Sequence, residues 1–109
     1  MSTWREYFNR KGEPIDQDAW IREFSDMDSR RVAQDELTHV RVSTVLLGRN
    51  HNWGDGPPLI FETMVFPLGD WGDLHCERYT TEAQAVTGHA AILARAKAGE
   101  WDEAAGGSE

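Results

Sequence analysis

One cysteine, Cys76, stands in 109 residues, so no disulfide forms within the chain and the CxxC half-sites of zinc ribbons are missing. No apolar run approaches the roughly 20 residues that cross a bilayer. The opening "MSTWREYFNRKG" lacks the apolar core of a secretory signal. Together these omissions predict a reduced, cytoplasmic protein. Bases are scarce: 11 Lys and Arg face 19 Asp and Glu, a net charge of −8. A nucleic-acid binder needs a basic stripe, so that class is excluded, while docking on a basic partner remains compatible. HxH and HExxH pairs, a GxSxG elbow and any internal repeat are also missing.

Apolar residues make up 39% and charged residues 28%, ordinary proportions for one small globular domain. Five tryptophans are many for this length, and Trp favours packed or binding surfaces.

Along the chain, "WREYFNRKGEPI" reads as an extended piece with a turn at Lys11-Gly12. Asp16 is a good N-cap for a short helix in "IDQDAWIREFSDMD", with Trp20, Phe24 and Met27 as one apolar stripe. "RRVAQDEL" reads as an edge strand and "THVRVSTVLLG" as a central one, with Val40, Val42, Thr44 and Leu46 on one face. "PLIFETMVF" and "LHCERYT" are the third and fourth strands. Thr81 with Gln84 forms a capping box for a last helix whose apolar face is read as Val86, His89, Ala90 and Leu93, with Gly99 as its stop. Residues 99–109 are expected to form an acidic mobile tail, except that Trp101 can fold back. The expected fold is α+β: a three- to four-stranded antiparallel meander packed against two helices, in one domain over residues 1–98.

The candidate chemistry centres on "LLGRNHNWGDGPPLIFE". His51, Asn52 and Trp53 lie in this loop, and Glu62 follows on a strand face shared with Ile60, Met64 and Phe66. A carboxylate among apolar neighbours needs a partner or a raised pKa, and Arg41, Arg49 and Arg78 are the candidates. Either Glu62 holds a ligand in a polar pocket or it makes a structural ion pair. A metal site would need His51 and His75 to converge with Glu62 or Asp73, and none is expected. His75 and Cys76, adjacent on a strand, point to opposite faces. The loop joins two strands and opens no helix, so its glycines do not make a phosphate cradle. His89, beside Gly88, reads as a hydrogen-bonded, partly buried side chain, and Cys76 as a buried inert thiol.

The stretches "RVSTVLLGRNHNWGDGPPLIFETMVF" and "ERYTTEAQAVTGH", with the opening "YFNRKGEPI", resemble a family of small uncharacterised proteins of actinobacteria, related bacteria and their phages. The family pattern is similar to VSTVWLGLDH…GGPPLIFETMVF…RYSTEEEALAGH, and the resemblance spans most of residues 4 to 93. It implies a phage or bacterial source and carries no activity with it. Arg49 and Asn50 stand where that pattern often reads Leu-Asp.

The sequence therefore suggests a non-enzymatic interaction protein that docks on a host or sister protein and can self-associate, without a cofactor. The alternatives are a small-molecule binder for a nucleotide signal, using loop 49–56 with Glu62 and Arg78, and a metal-dependent hydrolase. The candidate binding residues are His51, Asn52, Trp53, Glu62, His75 and Arg78.

Overall fold

The computed structural model describes residues 6–52, 54–69 and 72–102. Trp53 is therefore outside the described residues, as are Trp4, Trp71 and the last seven positions. Four strands form one antiparallel meander in the order β1-β2-β3-β4: β1 Arg31–Glu36, β2 Val40–Leu46, β3 Phe61–Pro67 and β4 His75–Tyr79. Helix α3, Glu82–Lys97, packs across all four strands. The short helices α1, Gln17–Phe24, and α2, Met27–Arg30, sit at the end of the sheet where β2 runs into the loop.

The expected edge strand is β1, and the two strongly apolar segments are the central pair β2 and β3. Alternation along β2 sends Val40, Val42, Thr44 and Leu46 toward α3 and Arg41, Ser43 and Val45 away from it. The opening segment reaches the same sheet end. Tyr7 bridges to Arg49, Phe8 bridges to Pro14, and the Phe8 ring is buried. The Asn9 carboxamide oxygen accepts the Lys11 and Glu13 amides and holds the expected turn.

Two helical expectations are corrected. Asp16 caps α1 as predicted, accepting the Ala19 amide at 2.8 Å. The stripe, however, ends at Phe24. Ser25 closes α1, and Asp26 starts α2 by accepting from the Asp28 amide and the Ser29 hydroxyl. Such side chains offer the backbone a competing partner, so the helix restarts and the phase is lost. Met27 lands on the surface, 55% exposed.

On α3 the capping box forms as read, but the buried face is Ala85, His89, Ile92 and Ala96, whereas Val86 and Ala90 are exposed. Small residues face the sheet because the helix lies close upon it. A Cβ on Gly88 would come within 2.4 Å of the Tyr79 ring, which is why a helix interior tolerates glycine here. Trp101 folds back as allowed for, into a core cluster with Val40, Val42, Val65, Ile92 and Ala96. Gly99, at φ 90°, makes that reversal.

The core has a second apolar cluster, Phe8, Leu46, Ile60, Phe61 and Ala85. Between the two runs a polar row. His89 stands between Ala85 and Ile92 on α3, Thr44 between Val42 and Leu46 on β2, and Thr63 between Phe61 and Val65 on β3, opposite Thr44.

Candidate functional site

The connection from β2 to β3 is tied by its own side chains. The Asn50 carboxamide oxygen accepts the amides of Asn52 and Leu59. The Asn52 side chain donates to the carbonyls of Asp55 and Pro57 and accepts from the Gly54 amide. His51 Nδ1 lies 2.8 Å from the Arg49 carbonyl, and the Arg49 guanidinium is paired with Glu6. These asparagine and histidine groups are spent on shaping the loop. Asn50 ties the two limbs of the loop together through those two bonds.

Glu62 finds its partner one strand away. Arg78 Nε donates to Glu62 Oε2 at 2.9 Å, and the Cys76 thiol donates to the same oxygen at 3.2 Å. Of the three arginines considered, Arg78 is the one that pairs. Arg41 is held by Glu36 through two bonds to one oxygen. Burial, then the Glu62 carboxylate, push the Cys76 thiol up to about 11, against a weaker opposing pull from Arg78. A raised pKa keeps the neutral thiol, so its stabilising contribution is complete below the ordinary value of 9.0 and is lost as pH rises through about 11. We expect Cys76 to alkylate slowly at pH 8, with the rate rising between pH 9 and 11. Glu62→Gln should shift that rise to lower pH, measured as iodoacetamide modification against pH. A modification rate already at its plateau at pH 8 contradicts this assignment.

The predicted residues are not brought to one place. Glu62 and Arg78 share the face away from α3, while His75 pairs with Val65 on the α3 face, where it contacts Glu77 and the Trp101 ring. The His51 amide bonds the Leu59 carbonyl at one end of the sheet, and His75 sits beside Val65, six residues or about 20 Å of strand further on. Among the described residues no group of three His, Cys, Asp or Glu side chains is placed to hold a metal ion.

Two arrangements escaped the sequence reading. The first is the polar row in the core. His89 Nε2 lies 2.8 Å from Asp35 Oδ2, and Nδ1 lies 2.7 Å from Thr44 Oγ1, which in turn bonds Thr63 Oγ1. An ionised Asp35 only accepts, so Nε2 carries the hydrogen and Nδ1 accepts from Thr44. Carboxylate, imidazole and hydroxyl thus stand in the order of a nucleophile relay. Thr44 is fully buried, so no external substrate reaches its oxygen. The row is a satisfied structural network that fixes the register of α3 over β1, β2 and β3. Beside it, the Tyr79 hydroxyl is buried without a partner among the described residues, and burial raises its pKa.

The second is a groove of about 270 Å³ on the open face of the sheet, with Val45, Met64 and Phe66 among its floor residues and Arg30 and Arg41 among its rim. Arg30 lies over the Phe24 ring at 4.0 Å, and burial lowers its pKa. Two larger hollows lie at the β1-β2 turn with the end of α3, and beside Thr80 and Thr81. Polar surface dominates the first; in the second, Arg10 is already paired with Glu82. The groove is smaller, with an apolar floor between Arg41, held by Glu36, and Arg30, held by the Leu46 carbonyl and the Phe24 ring. Period-2 alternation could have found it, because Arg41, Ser43, Val45, Glu62, Met64 and Phe66 are the outward positions of β2 and β3.

Compared with known protein families, with curated proteins and with solved structures, the chain matches none. No helix among the described residues is long and apolar enough to cross a membrane.

Proposed function

We propose that this chain is a non-enzymatic docking protein of bacterial or phage origin that acts in the cytoplasm and binds a host or sister protein through the open face of its sheet. One observation carries the reading. Helix α3, with Phe8 and Trp101, covers one face of the sheet, whereas among the described residues the other face leaves Val45, Met64 and Phe66 only half-buried. Half-buried aliphatic and aromatic side chains flanked by Arg are the composition of an interface core. The deepest charged group on that face, Glu62, is already neutralised by Arg78, so burial beneath a partner leaves no unpaired carboxylate.

The test uses Met64→Glu, which puts a charge at the centre of the face and leaves the α3 side untouched. Proteins retained from a bacterial lysate by the wild-type chain are expected to be lost by this variant at unchanged melting temperature. Retention of the same proteins by both chains contradicts the reading.

A further inference from the structure

We infer that the occupant of the open face is a second copy of this chain, packed sheet against sheet. This rests on the reading of that face as a docking surface and names its partner. The chain carries a net charge of −8, so two copies repel over most of their surfaces. The open face is the exception. Among the described residues Arg30, Arg31, Arg41 and Arg78 stand there against Asp28, Glu36 and Glu62, so the acidic excess of the described residues lies off this face. Two copies approach with least repulsion face to face.

The pattern is also self-complementary. The Arg41–Glu36 pair flanks the apolar floor on the β1 side and the Arg78–Glu62 pair flanks it on the β4 side. In a two-fold arrangement each patch meets its own copy, so both signs must be present on it. An acidic partner would instead favour a face of unpaired cations, yet Arg31, Arg41 and Arg78 are already paired with Asp28, Glu36 and Glu62 within the chain.

Size sets the strength. Four strands about 4.8 Å apart and five residues of strand length span about 19 Å by about 17 Å. That is below the roughly 800 Å² per partner of a standard interface, even allowing for corrugation. The dimer is therefore expected to be weak and reversible.

Sedimentation of the wild-type chain against concentration and salt tests this. Two acidic copies meeting on a balanced face associate more tightly as salt screens their remaining charge. The association constant should rise at least about tenfold between about 0.01 M and about 0.15 M salt. Met64→Glu and, as a milder change, Ser43→Lys should sediment as monomers, with melting curves confirming that each is folded. A wild-type chain that stays monomeric up to about 1 mM overturns the second copy as occupant. In that case the docking reading survives if Met64→Glu still loses a captured protein. A dimer that both variants leave intact overturns this face as the interface altogether, and one that weakens with added salt overturns the charge argument.

Discussion

Trp101→Ala is expected to destabilise the protein by about 3–5 kcal/mol, the cost of deleting a large aromatic side chain from a packed core. Trp101 is only 7% exposed and belongs to the same cluster as Val40, Val42, Val65, Ile92 and Ala96. Its ring also meets His75, with centroids 5.5 Å apart, and lies under the Arg95 guanidinium at 5.0 Å. A domain of this size has about 5–15 kcal/mol in all, so the loss is a large share. The melting temperature should fall by about 10–25 °C. Ending the chain at Ala98 should cost at least as much, because it removes the ring and the Gly99 reversal together. By contrast Glu100→Gln, which breaks the exposed pair with Arg95, should change little, since exposed ion pairs contribute little to stability. Thermal denaturation of the three variants checks this ordering. A truncated chain as stable as the full one would show that the domain ends before Gly99.

Gly48→Ala should cost about 2–4 kcal/mol, from two separable causes. Gly48 has φ 70°, a left-handed conformation that costs a residue with a Cβ about 1–2 kcal/mol. A Cβ there would also lie 2.6 Å from a Phe24 ring carbon and 2.8 Å from Trp20 ring atoms. Those rings pack at a 38° tilt with centroids 4.5 Å apart, and Trp20 is anchored through its indole N–H to the Leu47 carbonyl at 3.1 Å. They have little room to move, which adds the usual overpacking cost of about 1–3 kcal/mol. Other glycines isolate each cause. Gly12 has φ 85° with nothing within 4 Å of its added Cβ, so Gly12→Ala should show conformational strain alone. Gly88 has ordinary helical backbone against the Tyr79 ring, so Gly88→Ala should show the clash, offset by about 1 kcal/mol of helix propensity. Gly54 has neither feature and should be near neutral. Urea unfolding of the four alanine variants measures the order. Gly48→Ala no worse than Gly12→Ala would mean that the aromatic pair yields freely.

How far the site was legible follows from the same particulars. The Glu62 partner was open among three arginines because a sequence does not state strand register. Once β3 and β4 pair with Glu62 opposite Arg78, the choice is made. His51 and Asn52 drew notice as polar loop residues, but their side chains bond the loop's own backbone. Asp35 and His89 lie 54 positions apart and meet through the crossing of α3 over the edge strand, a contact that no local spacing encodes. The expected face of α3, Val86, His89, Ala90 and Leu93, is one position out of phase at all but His89, because a helix rich in alanine offers more than one apolar stripe. Close packing instead selected Ala85 and Ala96, together with Gly88 beside Tyr79.

The sequence by itself determined the local geometry. Caps at Asp16 and Thr81, strand alternation in β2 and β3, and turn residues between them specify an antiparallel meander with helices on either side in sequence. These signals act within a few residues, where backbone preference and side-chain period are enough. The tertiary structure alone decided which face each element presents and what it meets there. It put Trp101 into the core, His89 between Asp35 and Thr44, and Glu62 beside Arg78. Among the described residues it also left the other side of the sheet without a covering helix, because α1 ends at Phe24 and α2 turns aside to the end of β2. Those outcomes depend on how closely one long helix can approach four strands, a matter of volumes and register summed over the whole chain.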